Sequence, residues 1–305
     1  MKHVFVINPK AGKGKALNMI KPKIDSYCAE NSIDSIVYVP KSSEDSIEFM
    51  RTIAQAGEPV RIYACGGDGT IYNAVNAVFG FKNAEIAAIP LGSGNDFIRL
   101  FGKKKDLMDI GAQVNGTAIE LDVIKCGDRI AINQCSMGLD AEICAKQSAF
   151  KKLPLMNGET AYTAALFYCL MKKIDNEFTI QIDDDPPQKL KVLFSLCANS
   201  RWYGGGYKGA PLAIPDDGLL DFVVVKKTVG RMGLFSLVGK YKAGQHLDWD
   251  MTTFKRGKKM IIHSEKLAAV NIDGESDYVH KSTFEIIEKG IKFVVSANST
   301  YIQDR

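Results

Sequence analysis

Two domains of different class, an α/β domain with a parallel sheet followed by an antiparallel β-sandwich domain, are predicted by three features of this sequence. Over the first ~120 residues, short β-rich runs alternate with helical ones, the signature of a largely parallel α/β sheet. From about Leu121 that alternation gives way to strands joined by hairpin signals. The length of 305 residues also suits two domains better than one. The predicted boundaries are 1–122 and 123–289, with 290–305 as a candidate to rejoin the first domain.

In the first domain the apolar runs His3 to Ile7, Ser35 to Val39, Val60 to Cys65 and Glu85 to Ile89 are predicted strands. Helices are predicted between and after them, over Lys15 to Glu30, Glu44 to Ala56, Ile71 to Phe79 and Asp96 to Phe101. Each strand ends in a loop rich in Gly, Asn, Asp or Pro, and the carboxyl ends of parallel strands are where open α/β sheets bind ligands. In the second domain, Val123 to Cys126 and Ile130 to Cys135 flank Gly127-Asp128, and Phe178 to Ile182 and Leu190 to Leu196 flank an Asp-Pro-rich turn. Further strands are predicted at Leu220 to Val225, Met260 to Ile262, Leu267 to Ile272 and Phe284 to Ile287, with helices near Thr160 to Lys173 and Met232 to Ala243. This pattern reads as a sandwich. The segment Ile291 to Ala297 is a candidate to return to the first domain.

Composition excludes several classes. Hydrophobic residues make up 46% and charged residues 24%, the balance of a folded globular chain. The longest apolar stretch, Ala161 to Met171, falls short of the ~20 residues a bilayer span requires. The N-terminal apolar run is too short for a signal peptide. Seven cysteines without a Cys-x-x-Cys pair read as buried thiols of a reducing cytoplasm. A net charge of +4 is too mild to argue for nucleic acid. Lys103-Lys104-Lys105, Lys151-Lys152, Lys172-Lys173, and Lys255-Arg256 with Lys258-Lys259 are either solvated faces or contacts for an anionic membrane or polyphosphate.

The chemistry concentrates in loops. In Gly66-Gly67-Asp68-Gly69-Thr70, three glycines in four positions remove the Cβ atoms that would hold a ligand off the backbone N–H groups. The helix that follows offers its positive N-terminal end to an anion. A carboxylate facing a polyphosphate would be repelled, so Asp68 points to a divalent cation, or to an acid or base that it orients. The local alternative is a βα turn whose Asp caps a helix. The loop Pro90 to Phe97 follows the next strand in the same way, with Gly92 and Gly94 for close approach, Ser93 for a phosphate and Asp96 as a second carboxylate, and Asn95-Asp96 as alternative helix caps. The loop Asn8 to Lys15 lacks the Gly-Lys-Ser/Thr ending of a Walker P-loop, yet can donate N–H groups and lysine charge to phosphates. Three loops at one cleft imply a polyphosphate ligand.

In the second domain Asn271-Ile272-Asp273-Gly274-Glu275 reads as a hairpin turn or as part of a site. Ile214-Pro215-Asp216-Asp217-Gly218-Leu219 reads as a turn, or as a cation site built from the Asp217 carboxylate and the Ile214 and Leu219 carbonyls. Arg201 to Tyr207, with its triglycine, is a candidate wall of a substrate cleft.

In order and spacing, Asn8-Pro9 with Gly12, Gly66 to Thr70, Pro90 to Arg99, Gly204 to Gly206, Asp216 to Asp221 and Asp273-Gly274-Glu275 resemble the diacylglycerol kinase catalytic family, in its bacterial lipid kinase branch. The resemblance implies a nucleotide-kinase-like α/β domain followed by a β-sandwich domain, with MgATP and lipid meeting in the cleft between them. It implies ATP contacts at Asn8, Pro9, Lys10, Ala11, Gly12, Gly66, Gly67, Asp68, Gly69, Thr70, Ile71 and Ser93. Glu275 would be the base that takes the proton of the lipid hydroxyl, with Asp68 and Asp96 positioning it or the reactive Mg2+. Ile214, Asp217 and Leu219 resemble a structural Mg2+ site of the bacterial branch. The chain departs from the family pattern at Ile71-Tyr72-Asn73, where Leu-Asn-Glu is usual, and around Pro40-Lys41-Ser42, where a Thr is usual.

An NAD kinase shares the Gly-Gly-Asp-Gly turn and the two-domain plan, but Asn95-Asp96-Phe97 and Asp273-Gly274-Glu275 favour the lipid branch. The three carboxylates argue against a regulator that binds nucleotide or lipid without turnover. The expected setting is cytoplasmic, peripheral to the inner face of the membrane, with a lipid substrate, no nucleic acid and homodimer formation left open. Met232 to Tyr241, with Phe235 and Leu237 beside Lys240, either touches lipid or packs in the core.

Overall fold

The computed structural model describes residues 1–150, 156, 158–171, 176–228 and 230–303; Lys151-Lys152 and Lys172-Lys173, including the end of the helix predicted to reach Lys173, lie outside them. The chain divides into two compact units, 1–121 with 289–305, and 122–288.

The first unit runs β1 (Lys2–Ile7), α1 (Ala16–Glu30), β2 (Ser35–Tyr38), α2 (Ser43–Gln55), β3 (Val60–Gly66), α3 (Asp68–Val78), β4 (Ala84–Pro90), α4 (Lys104–Leu107) and α5 (Ile110–Val114). Its sheet is parallel throughout, in the order β2-β1-β3-β4, and Phe293 near the chain end pairs in parallel with Ile86 of β4. Every residue of β3 is buried, as an interior strand covered on both faces requires. Phe5, Ile7, Tyr63, Cys65, Ala87 and Ile89 pack on Ile20, Ile24 and Cys28 of α1. Against the sheet's other face lies α3, with α2 beside it. The Ser42 hydroxyl caps α2 by accepting from Asp45 N at 3.2 Å. The helix predicted from Asp96 is a tighter 3-10 turn over Phe97–Phe101.

β5 (Thr117–Cys126) leads into the second unit, which continues through β6 (Arg129–Ala131), β7 (Gln134–Gly138), α6 (Leu139–Phe150), α7 (Gly158–Met171), β8 (Asn176–Ile182), β9 (Gln188–Ala198), β10 (Leu220–Lys226), α8 (Arg231–Lys242), β11 (Thr252–Gly257), β12 (Lys259–Ile272) and β13 (Glu275–Val295). Pairing is antiparallel. β9 meets β8 through its first half and β7 through its second, and β12 does the same, so two long strands span the layer pairing. The separate strands predicted at Met260 to Ile262 and Leu267 to Ile272 are this one strand, interrupted by a register shift between His263 and Ala268. Phe284 to Ile287 and Ile291 to Ala297 likewise fall on a single strand, β13, which ends at Val295. Conversely, the strand predicted over Ile130 to Cys135 is broken in two, at Ile132-Asn133.

Four elements lie outside the sequence expectation: the short helices α4 and α5, and α6 and β11. In α6 the apolar residues are spread around the helix, so no amphipathic stripe announces it. The basic cluster at Lys255-Arg256 falls on β11, where Lys255 pairs with Asp185 at 2.6 Å and Arg256 with Asp217 and Asp221 at 2.9 Å, and Lys258 pairs with Glu288 at 2.6 Å. Charged side chains suit an edge strand. No helix among the described residues is long and apolar enough to cross a membrane.

The second unit's core places α6, α7 and α8 over the sheet, with Leu139, Ile143, Leu166, Val223, Leu234 and Met251 in one cluster. His246 is fully buried beside it, its Nε2 2.9 Å from the Gly209 carbonyl, and among the described residues its Nδ1 has no hydrogen-bond partner. Burial pushes its pKa from 6.5 down to about 4. The unfolded chain therefore binds a proton that the folded one refuses between those two values, and stability falls as pH drops from 6.5 toward 4. The expected loss is on the order of 3 kcal/mol. Thermal melts from pH 7 to 4.5 check this: His246→Phe should flatten the profile, and an unchanged slope would refute the assignment.

Candidate active site

Three loops of the first unit are clipped together by their own backbone. After β1, Asn8 N donates to Cys65 O at 3.0 Å, Asn8 Oδ1 accepts from Lys10 N at 3.0 Å, and Asn8 Nδ2 donates to Thr70 Oγ1 at 3.3 Å. Gly12 N donates to Leu91 O at 2.9 Å. Gly12 and Lys13 both adopt the left-handed region, at φ 58° and 57°. Pro9 and Ala11 are half-buried, and Lys10, Lys13 and Lys15 are exposed.

The second and third loops touch at glycine. Leu91 N and Gly92 N both donate to Gly66 O, at 2.8 and 3.0 Å. A Cβ on Gly92 would fall onto Gly67 Cα, and one on Gly66 onto Thr70 Oγ1. These two glycines are required by packing. Gly69 is not: no protein atom lies within 4 Å of where its Cβ would stand. Open space therefore faces the first turn of α3, where helix N–H groups favour an anion.

Asp68 lies inside α3, whose N-cap is Gly67, so the capping alternative fails. Its Oδ1 instead accepts across the loops from Asp96 N at 2.8 Å and Phe97 N at 3.3 Å. Burial raises its carboxyl above the usual range, against the pull of the Phe97, Asp96 and Asn95 N–H groups. Asp96 is buried and does not cap the turn it precedes; its Oδ1 accepts from Arg99 Nε at 3.1 Å. The remaining oxygens converge. An atom at the Cβ position of Gly94 would stand 2.8 Å from Asp68 Oδ2 and 3.3 Å from Asp96 Oδ2. A pair of carboxylate oxygens beside an anion-binding turn fits Mg2+, which takes one or two carboxylates and completes its shell with phosphate oxygens and water.

Asn95 holds this geometry at φ 52°, its side chain bridging Gly92 N at 3.1 Å and Gly92 O at 2.7 Å. Ser93 is exposed at the loop tip. The Ile71 side chain is buried, and its N–H donates to Gly67 O at 3.3 Å.

In the second unit, Asp273 (φ 52°) and Gly274 (φ 98°) make the two-residue hairpin turn between β12 and β13. The Asp273 carboxylate accepts from Ile132 N at 2.6 Å, Gln134 N at 2.8 Å and Asn133 N at 3.1 Å, pinning the break between β6 and β7. Glu275, opposite Ile272, is exposed, and among the described residues its carboxylate takes no hydrogen bond or ion pair.

In the Ile214 to Leu219 turn, Asp217 Oδ1 accepts from Leu219 N at 3.1 Å, and its Oδ2 is met at 2.9 Å by Arg256, a guanidinium it shares with Asp221. Gly218 N donates to Asp122 Oδ2 and Asp122 N to Pro215 O, which makes this a pinned turn. Among the described residues no group of three or more His, Cys, Asp and Glu is arranged to hold a metal.

One buried polar line escaped sequence reasoning. Tyr162 donates to Asp140 Oδ1 at 2.8 Å, and the Tyr203 hydroxyl lies 3.2 Å from Tyr162 and 2.6 Å from Tyr241. Its members are dozens of residues apart on different elements, so no local spacing could reveal them.

Comparison with known proteins agrees with this architecture. Residues 2–126 match the diacylglycerol kinase catalytic domain, and residues 133–295 match the YegS C-terminal NAD kinase beta sandwich-like domain. A diacylglycerol kinase of Bacillus subtilis is 30% identical, over 70% of this chain and 70% of its own. One of Staphylococcus carnosus is 25% identical, over 89% of this chain and 87% of its own. In fold, the solved structure of a diacylglycerol kinase from Bacillus anthracis superposes with a TM-score of 0.70 at 20% identity, covering 97% of both chains. With both halves matched and a relative at 30% identity, this chain belongs to the diacylglycerol kinase catalytic family, in its bacterial lipid kinase branch.

Proposed function

We propose that this kinase transfers the γ-phosphoryl group of MgATP to a hydroxyl of a diacylglycerol-like lipid. The observation that carries the reading is the convergence of Asp68 Oδ2 and Asp96 Oδ2 on Gly94, together with the open space at Gly69 in the first turn of α3. The first turn of α3 binds phosphate through its N–H groups, and Asn8, Lys10 and Gly12 line the same set of loops. Bound Mg2+ would neutralise charge on the transferring group, with Asp68 and Asp96 as its ligands. Glu275 accepts the proton of the lipid hydroxyl as its oxygen attacks phosphorus, a role that needs an exposed, unencumbered carboxylate.

Mass spectrometry of products from a total lipid extract with MgATP tests the reading, with NAD offered in a parallel reaction. Phosphorylated NAD without phosphorylated lipid would replace it with the NAD kinase reading. Gly69→Ala gives a sharper test. A methyl group there meets no protein atom and favours the helix by up to about 1 kcal/mol, yet it enters the space a triphosphate would use. The expected result is an undiminished melting temperature with KM for ATP raised tenfold or more; an unchanged KM would place the nucleotide elsewhere.

The acceptor resides in a bilayer, so reversible membrane contact belongs to the same proposal. It is supported by α7, which buries Tyr162, Leu166 and Leu170 yet exposes Phe167, Tyr168 and Met171. A helix apolar on all sides belongs in a core or at a membrane. Phe167 stacks on Phe235 of α8 at 5.3 Å, while Leu234 packs inward, so α8 divides between the two alternatives open to it. Phe167→Asp is expected to reduce co-sedimentation with anionic vesicles at least fivefold; parent-like pelleting would remove this face from the contact.

A further inference from the structure

We propose that Asp140 is a positioning residue for Glu275, acting through Ser136 and Asn271 along a buried line of hydrogen bonds that ends at the turn before Glu275. The proposal rests on the reading of Glu275 as the base. That carboxylate is exposed and takes no hydrogen bond or ion pair among the described residues, so the backbone of the Asp273-Gly274 turn sets where it stands. Gly274 N donates to Asn271 Oδ1 at 2.8 Å. Asn271 Nδ2 donates to Ser136 Oγ at 3.4 Å, and Ser136 donates to Asp140 Oδ2 at 2.5 Å. Ser136 stands opposite Asn271 in the pairing of β7 with β12, and all three residues are at most 3% exposed.

The donor and acceptor inventory gives this line one direction. An ionised carboxylate only accepts, a hydroxyl has a single proton to give, and a carboxamide has one donating and one accepting end. Asp140 therefore obliges Ser136 to donate to it. The Ser136 oxygen is left to accept from the Asn271 amide nitrogen, and the Asn271 oxygen is thereby turned to Gly274 N. The helices hold the far end: Tyr162 of α7 donates to Asp140 Oδ1 at 2.8 Å, and Tyr203 lies 3.2 Å from Tyr162 and 2.6 Å from Tyr241 of α8. Burial raises the Asp140 carboxyl above its usual range, and the Ser136, Tyr203 and Tyr162 hydroxyls oppose that rise. The Asp273 carboxylate secures the same turn by separate bonds, to the β6–β7 break.

Two variants test this, with thermal melts to establish that each is folded. Asp140→Asn keeps the shape but offers Ser136 a donor, which frees the Asn271 amide to turn over; Ser136→Ala breaks the line with Asp140 in place, and carries the test alone if Asp140→Asn does not fold. Hydrogen exchange of the Gly274 amide, followed by NMR, is expected to be about tenfold faster in each variant. The kcat for lipid phosphorylation should fall about tenfold or more, with KM for MgATP unchanged. Added to Glu275→Gln, either variant should lower kcat no further, because no base remains to be placed. A purely structural role would lower kcat equally in both backgrounds. That result, or Gly274 exchange as slow as in the parent, would overturn the proposal and leave the base standing. Parent-like turnover from Glu275→Gln alone refutes the base, and with it the role given to Asp140, whatever the exchange rate.

Discussion

Asp68→Asn and Glu275→Gln are each expected to lower lipid phosphorylation by about 10² to 10⁴-fold while leaving the fold intact. Asparagine keeps an oxygen at the position where Asp68 accepts from Asp96 N and Phe97 N, so the clip between the loops survives. What is lost is the charge on the second oxygen, the one turned with Asp96 Oδ2 toward Gly94. Burial already disfavours that charge, so the folded protein holds it at a cost that the proposed cation would offset. Glu275 differs in kind: exposed and free of hydrogen bonds among the described residues, it contributes little to stability. Initial rates at saturating MgATP and lipid, read beside thermal melts, distinguish the cases. Parent-like turnover from Glu275→Gln would remove the base, and parent-like turnover from Asp68→Asn would remove the cation ligand.

What could be read from the chain was what is local. Gly66 to Thr70 and Pro90 to Phe97 announce themselves because strand, glycines and carboxylate stand within a few residues, and the parallel pairing of β1 to β4, though not their order, follows from their alternation with helices. Partnerships across the fold were hidden. That Gly92 must be glycine because it lies against Gly67 depends on the register of two strands. That Asp217 faces Arg256 depends on β11, which sequence disguised as a basic patch. That the Ile71 side chain turns into the core follows from helix geometry, which the motif spacing alone does not display. β12 reads as two strands in the sequence because the polar stretch through its register shift resembles a loop.

Asp273→Ala should destabilise the protein by roughly 3 to 5 kcal/mol, the scale for removing a charged acceptor from several buried donors. The N–H groups of Ile132, Asn133 and Gln134 belong to residues at most 8% exposed, too little for water to replace the lost acceptor. Asp273→Asn retains one acceptor oxygen and suits the φ of 52°, so it should lose about half as much. Denaturant melts of the two variants beside Glu275→Gln separate roles that the Asp-Gly-Glu motif leaves merged. The expected order of stability is Asp273→Ala below Asp273→Asn, with Glu275→Gln level with the parent. A carboxylate that ties the hairpin to the β6–β7 break thus holds the strand from which Glu275 projects. If Asp273→Ala melts with the parent, those N–H groups find other acceptors, and Asp273 must be explained by chemistry instead of architecture.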